Sequence, residues 1–136
     1  IILYLRIMIQ RVQSIYLLFS IIFMIAITYF LPVLINEEAE VFFTYQFIYA
    51  HISILVSSFL LLYSIFLFKN RKKQLLLNQI SKFLLSATFF ILFFTKGELF
   101  PYRGMFVFII PYVHILLANR FIKKDEKLVQ SADRIR

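Results

Sequence analysis

A chain of 136 residues that is 62% hydrophobic, with a mean hydropathy of +0.85, lies outside the range of ordinary water-soluble domains and leaves room for one membrane-embedded domain, residues 1–136, with no soluble domain beside it. The absence of Cys excludes disulfides, thiolate catalysis and cysteine metal sites, and the two glycines, Gly97 and Gly104, stand in no phosphate-loop setting, which argues against nucleotide chemistry. A net charge of +8 would suggest nucleic acid for a soluble chain, but in a membrane chain Lys and Arg collect in cytoplasmic loops, so no nucleic-acid partner is expected and the placement of the charges becomes the test.

The first apolar run, Ile15 to Ile35, is interrupted only by Ser20, Thr28 and Pro32. At 1.5 Å per residue it reaches roughly 30 Å, one hydrocarbon core. Arg6 and Arg11 precede it as they would a signal peptide, but no small-x-small site follows in "YFLPVLINEEAE", so an uncleaved span is expected. An acidic turn with Glu37, Glu38 and Glu40 leads to a second span, about residues 47–68, which stops at "KNRKKQ" with Lys69, Arg71, Lys72 and Lys73. The third, about 80–98, is fully apolar only from Phe83 to Phe94. Leu75 to Lys82 read as an interfacial lead-in, with Lys82 snorkelling toward the headgroups. The fourth, about 101–121, opens on Pro101, where no N–H is needed, and is expected to bend at Pro111.

Four spans put both termini and the middle loop on one side. Arg6, Arg11, Lys69, Arg71, Lys72, Lys73, Lys82, Arg120, Lys123, Lys124, Lys127, Arg134 and Arg136 all fall there, against Lys96 and Arg103 opposite. The positive-inside rule makes that side cytoplasmic and leaves Glu37, Glu38, Glu40 and Glu98 outside, with Tyr29, Tyr45, Tyr49 and Tyr102 as an outer aromatic belt. The fold class expected is an all-α membrane protein: four transmembrane helices in an up-down-up-down bundle, followed by a cytoplasmic amphipathic helix over residues 122–136.

In that tail, helical spacing gathers Phe121, Ile122, Leu128, Val129, Ala132 and Ile135 into an arc of roughly 140°. Lys123, Lys124, Lys127 and Arg134 lie opposite, and Asp125, Glu126 and Asp133 fall in or beside the stripe. Acids so close to the apolar face suit a docking helix, for a protein partner or for the bundle's own cytoplasmic ends, better than a helix made only for anionic lipid. The alternative is a solvated extension lying on the membrane surface. The expected interaction residues are Lys69, Arg71, Lys72, Lys73, Phe121, Lys124, Asp125, Glu126, Leu128, Asp133 and Arg134.

His51 and His114 are the sharpest chemical lead. Their depths differ by roughly 5 Å, so two imidazoles could face each other across the bundle and ligate a haem iron. Equally, each could hydrogen-bond to a neighbouring helix, and two nitrogens fall short of a zinc site, so no cofactor or metal is expected. No carboxylate lies within a span and no Ser/His/Asp or HExxH pattern occurs, so no enzymatic activity is expected. Ser57, Ser58, Ser64 and Ser86 read as close-packing positions.

Two stretches, "MIQRVQSIYLLFS" at Met8 to Ser20 and "KKDEKLVQSADRIR" at Lys123 to Arg136, resemble an uncharacterised family of small four-span membrane proteins from Bacteroidetes. The resemblance covers the chain from Met8 onward; the first seven residues, "IILYLRI", stand outside it. It implies a bacterial inner-membrane location and four spans, and brings no activity or catalytic residues. The reading that results is a non-enzymatic accessory or assembly protein, embedded in the bilayer and docking a protein at its cytoplasmic face. The alternatives are a small transporter or channel built as a homo-oligomer, lined by Gln46, His51 and His114, and a haem-binding redox module.

Overall fold

The computed structural model describes residues 2–67 and 69–135, and the side chains of residues 3, 11–67 and 69–131. Helix α1 runs Ile2–Tyr29, strand β1 Pro32–Ile35, strand β2 Val41–Phe43, helix α2 Ile48–Phe66, helix α3 Arg71–Thr95, strand β3 Phe100–Pro101, the short helix α4 Arg103–Val107 and helix α5 Ile109–Ile135. Four helical stretches are long and apolar enough to cross a membrane: Arg11–Tyr29, Ile48–Phe66, Arg71–Thr95 and Arg103–Ser131.

The helices form a ring in which α1 packs on α2 and α5, and α3 on α2 and α5. Side-chain contacts give the registers: Tyr29 meets His51 and Met24 meets Ser58, Ser53 meets Thr88 and Ser57 meets Ser81, Asn78 meets Asn119 and Phe89 meets Phe108, and Ser20 meets the carbonyl of Pro111. Leu17, Met24 and Ile27 of α1, Ile54 and Leu61 of α2, Leu85 and Leu92 of α3, and Ile115 and Ala118 of α5 fill the centre. The exterior is just as apolar, with Phe59, Phe83, Phe94 and Phe106 among the most exposed residues.

Several boundaries differ from the sequence reading. The first helix stops at Tyr29, not Ile35, because Pro32 lacks an N–H and holds the residue before it out of the helical region. Residues 32–35 instead enter a three-stranded sheet of order β2-β1-β3, with Leu34 opposite Phe42 on one side and Pro101 on the other. The acidic turn is the tip of the β1–β2 hairpin, with Glu37, Glu38 and Glu40 exposed, and the sheet draws the α1–α2 and α3–α4 connections together at one end of the bundle. Gly104 lies against that sheet so closely that a Cβ there would stand 2.5 Å from the Pro32 carbonyl oxygen.

The expected bend at Pro111 is displaced. The helix breaks at Phe108, between α4 and α5, which leaves Pro111 in the first turn of α5, where its missing N–H breaks no bond within that helix. Leu75 to Lys82 belong to the same helix as the apolar stretch that follows, since α3 is one helix from Arg71, N-capped by the Asn70 side chain, which accepts from the Lys73 N–H. Gln74, Asn78 and Ser81 face the bundle interior, and the Lys82 ammonium lies 5.7 Å from the centre of the Tyr112 ring. The tail, finally, is no separate helix: α5 continues without a break to Ile135.

Candidate docking face at the basic end of the bundle

At the end away from the sheet, the α2–α3 turn and the second half of α5 come together. The turn carries Lys69, Lys72 and Lys73, all exposed, while Arg71 is half-buried. On α5, Ala118, Ile122 and Asp125 recur at helical spacing and are all buried, continued by the half-buried Leu128 and Val129. Lys123, Lys124 and Lys127 point outward. Arg71 Nη1 donates to Asp125 Oδ2 at 3.3 Å, and that pair ties the α2–α3 turn to α5. Drawing the carboxylate inward has an electrostatic consequence, because the exposed residues of both segments then include six lysines, with Glu126 half-buried among them.

Below the ion pair a polar network joins the helices. Gln13 Nε2 of α1 donates to Gln74 Oε1 of α3 at 3.3 Å, and Gln74 Nε2 to the Ser64 carbonyl of α2 at 3.0 Å. The Ser64 hydroxyl donates to Asn78 Oδ1 at 2.6 Å, and Asn78 Nδ2 to Asn119 Oδ1 of α5 at 2.8 Å. Each side chain is buried, so each bond spares a polar group the cost of lying unpaired in an apolar surround. One layer up, Ser57 and Ser81 lie 2.6 Å apart and each hydroxyl donates to the other's carbonyl, which lets α2 and α3 approach closely, as serines were expected to do.

The expected interaction residues therefore divide. Lys69, Lys72, Lys73 and Lys124 present charge outward; Arg71, Asp125 and Leu128 are turned toward the bundle. Phe121 is half-buried and stacks on Tyr16 of α1, ring centres 5.6 Å apart, with the Lys124 ammonium 5.6 Å from its own centre. The side chains of Asp133 and Arg134 lie outside the described residues. Gln13, Gln74 and Asn119 were missed from sequence, where a lone amide at a helix end carries no signal of what it faces.

The histidines are not brought together. His51 Nε2 lies 2.9 Å from the Tyr29 hydroxyl, and His114 Nδ1 lies 2.7 Å from the Ile110 carbonyl, its ring among Tyr16, Phe19 and Phe23. Their partners on α1 are separated by roughly 9 Å or more along the helix axis, so the two rings do not share a level. Gln46, an expected pathway residue, is exposed and accepts from the Phe43 N–H at 2.7 Å in the loop before α2.

A family model described as "Domain of unknown function (DUF4293)" matches residues 9–135, nearly the whole chain, and the protein belongs to that family. No curated protein and no solved structure matches it.

Proposed function

We propose that this member of the DUF4293 family is a non-enzymatic, multi-pass protein of a bacterial inner membrane. In this reading the four long helices cross the bilayer up-down-up-down and both termini are cytoplasmic. Its work is to dock an acidic protein partner on the basic face formed by the α2–α3 turn and the second half of α5, as an accessory or assembly factor does.

The membrane reading is supported by the apolar exterior. Exposed phenylalanines such as Phe59, Phe83 and Phe94 surround an interior that holds Gln13, Gln74, Asn78 and Asn119, a distribution suited to lipid outside and helix-to-helix hydrogen bonds inside. The sidedness is supported by the charges, since the sheet end carries Glu37, Glu38, Glu40 and Glu98 and the opposite end carries most of the lysines.

The docking reading rests on one observation, the Arg71–Asp125 pair. It turns the acid inward and joins two basic segments, far apart in sequence, into one exposed face with complementarity for an acidic surface. The test is affinity capture of the full chain from its native membrane in gentle detergent, beside a Lys72→Glu/Lys73→Glu variant of equal thermal stability. A stoichiometric acidic partner lost with the variant supports the reading. Recovery of the same proteins with both, or of the chain alone, removes it. The transporter alternative draws nothing from Gln46, His51 and His114, each of which is engaged by a neighbour.

A further inference from the structure

A second feature of the basic end lies on the seam between α1 and α5, and it shares Lys123, Lys124 and Lys127 with the basic face. A groove of about 470 Å³ is lined by Tyr16 of α1 and by Leu117, Arg120, Phe121, Lys123, Lys124 and Lys127 of α5. Its volume is in the range of sites that hold small ligands. We propose that it is a headgroup site for an anionic glycerophospholipid of the surrounding bilayer, an inference that rests on the membrane reading above.

The lining combines two chemistries in the order a phospholipid presents them. Its floor is the Tyr16–Phe121 stack with Leu117, and its rim is four cations. Among the described residues no acid lines the groove; of the two that lie between Lys124 and Lys127 in sequence, Asp125 is buried and paired with Arg71 and Glu126 is half-buried. Lys124 is held over the face of Phe121, which keeps its ammonium at the groove edge. A phosphodiester against this rim would accept hydrogen bonds from the guanidinium and the ammonium groups together.

Above the groove the same seam stays aromatic. The Tyr16 ring touches His114, and His114 touches Phe19 and Phe23, so an apolar track leads from the cationic rim toward the middle of the bundle. A soluble phosphate would have no use for such a track, whereas an acyl chain would lie along it. The groove also falls where α5 changes from apolar to charged, between Leu117 and Arg120, the depth at which headgroups meet hydrocarbon.

The test uses the full chain in nanodiscs of phosphatidylcholine containing a minor fraction of phosphatidylglycerol, with native mass spectrometry of the lipids retained after release. We expect phosphatidylglycerol to be enriched on the protein over its share of the disc, and Arg120→Gln/Lys124→Gln/Lys127→Gln to reduce that enrichment on the order of tenfold. Lys69→Gln/Lys72→Gln/Lys73→Gln, which removes the same charge from the α2–α3 turn, should keep it. Tyr16→Ala, which removes floor without changing charge, should weaken retention as well. Equal loss in the two triple variants would reduce the effect to diffuse attraction and overturn the site. Displacement of the lipid by millimolar inorganic phosphate would make it a soluble-anion site, and loss of the lipid to an acidic peptide alone would make it part of the protein-docking face. A chain that enters the discs without enriching phosphatidylglycerol defeats this inference alone, while a chain that fails to enter them defeats the membrane reading too.

Discussion

Arg71 and Asp125 stand 54 residues apart in sequence, yet the guanidinium and the carboxylate meet at 3.3 Å, the aspartate fully buried and the arginine side chain only 16% exposed. This contact ties the second half of α5 to the α2–α3 connection, beside the Asn78–Asn119 bond, the Tyr16–Phe121 stack and the buried Ile122 that also hold it on the bundle.

Breaking the pair from one side should therefore cost more than removing it. Arg71→Met removes the guanidinium that faces the buried Asp125 carboxylate and is expected to destabilise the protein by about 3 kcal/mol. The double variant Arg71→Met/Asp125→Leu should recover most of that loss. Thermal unfolding in detergent reads the stabilities, and trypsin cleavage at Lys123 to Lys127 should accelerate in the single variant. An additive double variant would show that the two residues do not interact.

The amide network makes a contrast between two neighbours on α3. Asn78→Ala removes the acceptor of the Ser64 hydroxyl and the donor to Asn119, and should cost about 1–2 kcal/mol. Gln79→Ala, one residue on and exposed, should stay within about 0.5 kcal/mol of the parent. The same melting assay checks both, and equal effects would remove the network from the account.

Gly104 is required by space, not by backbone conformation. An alanine methyl would lie 2.5 Å from the Pro32 carbonyl oxygen and 2.9 Å from Val33 Cγ1, so Gly104→Ala should push α4 off β1 at a cost of about 1–3 kcal/mol. Hydrogen exchange should show it first at the Tyr102 amide, which donates to the Val33 carbonyl at 2.9 Å. Unchanged protection there would mean that the contact is slack.

The sidedness can be read directly because the chain has no cysteine of its own. Single substitutions Glu38→Cys and Lys72→Cys should be labelled by a membrane-impermeant maleimide from opposite faces of sealed vesicles, and Ser131→Cys from the same face as Lys72→Cys. Labelling of Glu38→Cys and Lys72→Cys from one face would overturn the up-down arrangement.

Much of this protein is legible in its sequence because hydrophobic length and charge are local properties. Runs of apolar residues about as long as a bilayer is thick mark four helices, and the clustering of Lys and Arg separates one end from the other, with no reference to what touches what. The β1–β2 hairpin was partly legible, since "PVLI" and "VFF" flank a turn-forming "NEEAE", but the hydrophobic run that contains Pro32 to Ile35 masks it.

What only the tertiary structure decided is direction. Asn78 and Gln79 are adjacent and chemically alike, yet one is buried in a network and the other faces outward. Asp125 is buried and Glu126, beside it, half-buried, and it is Asp125 that α5 aims at Arg71. His51 and His114 fall within roughly 5 Å of one another in depth by counting residues but meet partners on α1 roughly 9 Å or more apart. A residue's depth follows from its place in the chain, whereas the face it presents depends on how four helices rotate to satisfy one another's polar groups at once, a condition set jointly by residues far apart in sequence.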